Sequence, residues 1–365
     1  MLTPSRLAVA RKRRGYTLTR LAKEVGLSTR RLSTFENGHA TPPPDTLHAL
    51  AAALEVSPDF LIGRDLEEIP VGAVSFRALS KMTARQRDSA LGCGRVALLI
   101  DEWIEARFSL PDVDVPTLTG YDPEHAAEVL RARWGLGERP IGNLLHLVEA
   151  HGVRVYSLTE DNRSLDAFSL YWHGRPVVLI STQKSGERGR FDLAHELGHL
   201  VLHTEHRELD RPEAESEANR FAAAFLMPRA SVLAYNLYNA DFTRILKAKS
   251  IWRVAAMALA HRLHELNLMT DWVYRTACIN LSRLGYRSSE PGGIARESSQ
   301  LLAKVFQALR DEGDGPAAIA AAVGISVDEL HDHVFGLTIT AVPSAQTVSL
   351  PPRRPSLRVL PSPDS

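Results

Sequence analysis

The run His195-Glu196-Leu197-Gly198-His199 sets two imidazoles four positions apart, with a carboxylate beside the first. On a helix, positions i and i+4 share a face, so both rings can reach one metal ion. Neutral imidazole is a good zinc ligand, with bonds of about 2.0–2.1 Å. Glu196 projects to one side of the pair, where it can take a proton from a metal-bound water whose pKa the metal lowers towards about 7. The chemistry this arrangement suits is hydrolysis of an amide. The surrounding Phe191, Leu193, Ala194, Leu197, Leu200, Val201 and Leu202 make the segment apolar on nearly every side. Such a helix is buried, and buried His and Glu need partners, which a metal supplies.

A catalytic zinc takes three protein ligands and a water. His203 continues the i, i+4 series, but it stands about 12 Å along a helix axis from His195, whereas ligands of one zinc lie within about 4 Å of each other. A helix framed by Asp210 and Pro228 offers Glu213, Glu215 and Glu217. Asp210 and Glu213 have capping-box spacing, and Pro228 stops the helix. Glu215 and Asn219 share a face with Ala218 and Ala222, whose small side chains, with Gly198, permit close approach of the two helices. Glu215 is the choice for third ligand and Glu217 the alternative. Asn219 then orients an imidazole or the carboxylate from outside the ligand set.

These positions need elements to hold them. Residues 152–158 and 166–172 alternate as strands do, and 176–181 reads as a short buried strand after the turn His173-Gly174-Arg175. Residues 66–110 read as helical, as do 124–150 and 243–265. Glu290-Pro-Gly-Gly293 is a break, and 297–337 reads as a last helical unit. From Pro343 the chain is rich in Pro and Ser and reads as a disordered tail.

The stretches HELGHLVLH and EANRFAAAFLMP together resemble the ImmA/IrrE metallopeptidases, whose pattern is HExxH and then E-x-x-x-N on a helix ending in Met-Pro. DAFSLYWHGRPVVLIS resembles the hairpin beside that family's catalytic helix. The resemblance covers roughly residues 120–230. It implies one Zn2+ per chain on His195, His199 and Glu215, with Glu196 as general base. It also implies cleavage of a repressor-like partner protein. Tyr171, His173, Arg175 and Arg190 are all candidates for stabilising the oxyanion, none favoured.

Charge is distributed unevenly. The totals balance at 43 basic and 43 acidic residues, yet residues 1–44 carry only Glu24 and Glu36 against a surplus of Lys and Arg. That suits a nucleic-acid-binding head on a neutral body. Within it, Thr17 to Ser28 fits the first helix and turn of a helix-turn-helix, with Leu21, Ala22 and Val25 facing a core, Gly26 ending the helix and Ser28 capping the next. Thr29 to Glu36 is then the recognition helix, with Thr29, Arg30, Arg31, Ser33 and Thr34 placed towards base edges. Arg11, Arg13 and Arg14, with Lys12, suit phosphate contacts. The stretch 33–63, STFENGHATPPPDTLHALAAALEVSPDFLIG, resembles the lambda-repressor/XRE-type domain. That resemblance implies an operator in double-stranded DNA and a homodimer on paired half-sites. Leu18 stands where many members carry Gln, which removes one backbone contact.

Cys93 and Cys278 are the only cysteines, too few and too far apart for a disulfide framework or a cysteine zinc site. No run approaches the ~20 apolar residues that span a bilayer, and no signal peptide is visible, so a cytoplasmic protein without membrane contact is expected. The fold expected is mainly α with one α+β domain. Its parts are a helix-turn-helix at 1–65, a helical connector at 66–120, a zincin-like metallopeptidase with a small sheet at 121–232, a helical region at 233–340 and a tail at 341–365. A regulator that is also a zinc peptidase, cutting a partner or itself, leads the functional readings. Its rivals are a non-catalytic transcription factor using the zincin fold as a metal-bound or ligand-sensing scaffold, and an antitoxin-like or phage-type regulatory module.

Overall fold

The computed structural model describes residues 1–76, 82–159, 165–204, 213–286 and 289–336. The head is five short helices: α1 (Pro4–Arg13), α2 (Leu18–Glu24), α3 (Thr29–Glu36), α4 (Pro44–Leu54) and α5 (Pro58–Ile62). Side chains of Thr17, Ser28 and Ser57 accept the N–H of Arg20, Arg31 and Phe60, capping α2, α3 and α5. Each such cap contributes about 1 kcal/mol, which decides whether helices this short persist. Leu7, Leu21, Leu32, Phe35, Leu50 and Phe60 fill the space between them.

The connector is not helical throughout. After Pro70 and a single turn at Val71–Ala73, residues Val74–Phe76 form a strand, β1, before the long helix α6 (Ala84–Glu105) begins at a capping box of Thr83 and Gln86. Pro and Gly break a helix here, and tertiary pairing supplies β1 with its partner.

The next unit runs α7 (Pro123–Arg133), α8 (Leu144–Ala150), β2 (Arg154–Ser157), β3 (Ala167–Trp172), β4 (Arg175–Ile180) and α9 (Gly186–Leu202). It continues through α10 (Ala214–Leu226), α11 (Arg229–Ala234), α12 (Phe242–Trp252), α13 (Ala256–Glu265) and α14 (Asp271–Arg283). The proposed cap at Asp210 and the tail after 336 lie outside the described residues. The sheet order is β1-β3-β4-β2, with β2 parallel to β4 and the other pairs antiparallel. His173 and Gly174, at φ 47° and 81°, make the two-residue turn between β3 and β4, a conformation matching the strand twist.

Alternation along the strands gives the sheet two apolar faces. Phe168, Leu170, Trp172, Val177, Leu179 and Tyr156 belong to one core, shared with the head, α6 and the last helices. Ala167, Val178, Ile180 and Val155 belong to the other, built by α7 to α10 and α12 to α14. α9, which carries His195, Glu196 and His199, lies on this second face.

Three helices close the chain: α15 (Gln300–Asp311), α16 (Pro316–Val323) and α17 (Val327–His333). They pack against the head rather than projecting from it. Ser57 donates its N–H to Gly324 O at 2.9 Å, Glu329 pairs with Arg13, and Ser157 binds the Asp332 carbonyl.

His333 is wholly buried there, and burial, with the charge of Arg13 adding to it, pushes its ring down to about 3. The folded chain therefore holds this ring neutral while the unfolded chain takes a proton below 6.5, so stability present at neutral pH is lost as pH falls from there. Glu149, pushed up to about 7 by burial against bonds from Ser299, Gln300 and Leu301, acts oppositely, binding a proton in the folded state. In thermal melts between pH 7 and pH 4, His333→Leu should lose less melting temperature than wild type. Equal losses would remove His333 from the account.

Candidate metal centre and DNA-binding surface

α9 and α10 pack closely because little stands between them. A Cβ on Gly198 would lie 3.0 Å from the Phe221 ring and 3.3 Å from Ala218. This approach brings Glu215 to the two histidines, its carboxylate oxygens 3.4 Å from His195 Nε2 and 3.3 Å from His199 Nε2. Ligand atoms of His195, His199 and Glu215 all lie within 4.8 Å of one another.

The hydrogen bonds around this trio fix its protons. Asn219 donates Nδ2–H to Glu215 O at 2.8 Å, a carbonyl that can only accept. Its Oδ1 therefore faces His195 Nδ1, 3.1 Å away, so that nitrogen carries the hydrogen and Nε2 carries a lone pair. A second row does the same for the other ring. Glu217 lies 2.8 Å from His203 Nε2 and accepts its hydrogen. His203 Nδ1 is then an acceptor for His199 Nδ1–H, 3.0 Å away, leaving His199 Nε2 with a lone pair. The two Nε2 atoms are 3.1 Å apart. Two buried lone pairs and a carboxylate converge on one point, which is the donor set of a divalent cation and repulsive without one.

Glu217, the alternative third ligand, is turned to His203 instead. His203 does not join the trio: it braces a ligand from behind. The i, i+4 spacing of His203 was visible, but a contact from a second helix to its far nitrogen was not.

Glu196 sits on the β3 side of α9, 1% exposed. Ser169 Oγ donates to its Oε2 at 2.7 Å, a partner that sequence reasoning missed. Its only signal was a polar residue on the inward side of an alternating strand. Beyond Glu215 and Asn219 opens a groove of about 730 Å³, with Phe191, Met257, Tyr274 and Lys184 among its walls. The four oxyanion candidates are engaged elsewhere. Tyr171 donates to Leu200 O, and burial pushes its hydroxyl up to about 12. His173 is paired with Glu67, Arg175 with Glu105, and buried Arg190 with Glu297 and Ile141 O.

Two stretches of the chain match known families. Residues 148–264 match the IrrE N-terminal-like domain of the M78 peptidases, and residues 7–61 match a helix-turn-helix domain. The chain joins a helix-turn-helix head to an IrrE-like domain. It is also similar to the HTH-type transcriptional regulator ImmR of Bacillus subtilis (strain 168), at 37% identity over 60 residues, 16% of this chain and 47% of that protein. The match thus spans about half that relative's length. The IrrE-like stretch runs past residue 232 through α12 and nearly all of α13, and α13 lines the groove with Met257, Ala258 and His261. Among the described residues, no helix is long and apolar enough to cross a membrane.

On the helix-turn-helix head, α3 leaves Thr29, Arg30 and Arg31 exposed, with Ser33 and Thr34 half-buried. Thr34 bonds to Arg31 O and Ser33 takes a bond from Asn37. The basic cluster on α1 is different from the expectation of phosphate contacts. Arg13 is buried, donating to Leu54 O and Glu55 O and pairing with Glu329. Arg11 pairs with Glu36 and bonds to Tyr16 O, and Arg14 pairs with Glu55. Burial and carboxylate partners turn these arginines into braces of the head.

Two expectations follow from these contacts. Competition with a chromophoric chelator should show Glu215→Ala losing the metal, and His203→Ala and Asn219→Ala weakening it by roughly 10–100-fold, the usual effect of removing a group that holds a ligand. Unchanged affinity in both of the latter would refute the bracing rows. In mobility-shift titrations, Arg30→Ala with Arg31→Ala should weaken DNA binding without moving the melting temperature. Arg13→Ala should instead destabilise the fold, by about 3–5 kcal/mol if its buried pair is broken.

Proposed function

We propose that the chain is a DNA-bound transcriptional regulator whose IrrE-like domain is a zinc-dependent peptidase acting on a repressor-like partner protein. In this reading residues 1–65 hold an operator, two copies occupying paired half-sites. The observation that carries the reading is the convergence of two imidazole lone pairs and Glu215 beside a carboxylate, Glu196, that Ser169 holds in place.

His195, His199 and Glu215 would hold the zinc. The ion, when bound, makes water a nucleophile near neutral pH and polarises a carbonyl. Glu196 would take a proton from the attacking water as the water's oxygen bonds to the carbonyl carbon. Glu196 then passes the proton to the amide nitrogen as the C–N bond breaks, leaving an amine and a carboxylic acid. Ser169 orients the carboxylate for both transfers. The groove beyond Glu215, with apolar Phe191 and Met257 among charged neighbours, suits side chains of an extended polypeptide.

A metal-bound scaffold without catalysis has no use for a buried, oriented carboxylate next to its metal, and this favours the enzyme. Glu196→Gln should retain about one zinc per chain and full operator binding, yet lose cleavage. In a reporter strain carrying the operator and neighbouring genes, the wild type should respond to the inducing signal with disappearance of the intact partner on immunoblots, and Glu196→Gln should not. Equal response from both proteins would refute the peptidase and leave the scaffold. Absence of zinc from wild type refilled without chelators would refute both.

A further inference from the structure

The sheet edge beside the metal centre is taken by the connector. β1 pairs antiparallel with β3 in the register Val74↔Leu170, Ser75↔Ser169 and Phe76↔Phe168. Ser169, opposite Ser75, is the residue whose hydroxyl holds the Glu196 carboxylate. Ala73, one residue ahead of β1, lines a cavity of about 150 Å³ together with Ser169, Tyr171, His199 and His203. Backbone of the connector therefore runs along the strand that positions the proton acceptor, and Ala73 at its start shares a cavity with His199 and His203.

β3 has β4 on one side and β1 on the other. Remove β1, and β3 presents a row of free N–H and C=O groups, the kind of edge to which an extended polypeptide adds. A peptidase needs its substrate extended beside the water-activating carboxylate, and the β3 edge at Ser169 is such a position.

We propose that the β3 edge is the polypeptide-binding edge of the catalytic centre, and that Val74–Phe76 occupies it in cis until an extended segment of a protein substrate takes its place. The inference rests on the peptidase reading. It deepens it by naming what the substrate must be, a segment able to form a strand antiparallel to β3, and what holds the site closed meanwhile. Three residues make a short strand with few ladder bonds, releasable at modest cost. Its tether nevertheless keeps it at an effective concentration of order millimolar, so a dilute peptide displaces it poorly, whereas a docked folded partner presenting its own strand competes on equal terms. β1 leads within the same connector to α6, which packs on α1 of the head, so the blocking strand is joined to the DNA-binding unit by a few residues.

The test is binding, and it needs no catalysis. The probe is a fluorescein-labelled peptide of residues 68–76, Glu-Ile-Pro-Val-Gly-Ala-Val-Ser-Phe, titrated with full-length Glu196→Gln protein by fluorescence anisotropy. The hosts carry either the native connector or Val74→Pro with Ser75→Pro. Neighbouring residues of a strand point their N–H groups to opposite sides, so one of the two prolines removes a ladder donor. Binding at least ten-fold tighter to the proline host is expected. Equal binding to both hosts, or binding to neither, overturns the proposal. If the proline host loses its cooperative melt, Val74→Gly keeps every backbone donor, removes only a buried side chain, and should give a smaller gain of the same sign, with no gain overturning the idea. Mass spectrometry of zinc-loaded wild type supplies the last arm: cleavage within residues 71–76 would make β1 a substrate and overturn its blocking role. Failure of the peptidase reading shows in zinc content and partner cleavage, and so is separable from failure of strand exchange.

Discussion

Lone pairs on two imidazole nitrogens face each other at 3.1 Å inside a helix whose surroundings exclude water. That proximity is unfavourable by itself, and most of the local structure serves to impose it. Asn219 on one side and the Glu217–His203 row on the other hold hydrogens on the outer nitrogens, so the inner ones have none. Gly198, Ala218 and Phe221 set the helix spacing that brings Glu215 to the same point. A divalent cation placed among these three groups would relieve the repulsion.

The sheet carries this arrangement to the rest of the chain. One face holds α9; the other holds the core shared by the helix-turn-helix head, α6 and the last three helices. Strands β2, β3 and β4, of four to six residues between two apolar layers, leave little room for independent shifts, because side chains of alternate residues are locked into different cores. Ser169 and Phe168 are neighbours on β3, yet one touches Glu196 and the other packs towards α6. Physical continuity between the DNA-binding head and the centre is therefore short, and it runs through the connector twice, by α6 and by β1.

The closing helices gain their meaning from the same core. Glu329, in the acidic first turn of α17, meets Arg13 of the head. The arginine that composition assigns to DNA is consumed by a contact from a segment more than three hundred residues away in the chain.

Much of the fold was legible because it depends on neighbours in sequence. The cap Ser28, the hairpin turn at His173-Gly174, the alternation of β3 and the buried character of the HExxH helix are local patterns with local causes. The pairing of Glu215 and Asn219 on one face with small residues was also readable, since helical periodicity determines it. What the sequence left open was every contact whose partner comes from a distant segment: Ser169 on Glu196, Glu217 on His203, Glu329 on Arg13, and β1 on the edge of β3. Side-chain type states what a residue can bond to, but burial decides whether it must bond and packing decides which partner arrives. Residue type and spacing thus determined which chemistry to expect of His195, Glu196, His199 and Glu215, while the bracing of these side chains, the fate of the basic cluster and the covering of the sheet edge were decided by the tertiary structure alone.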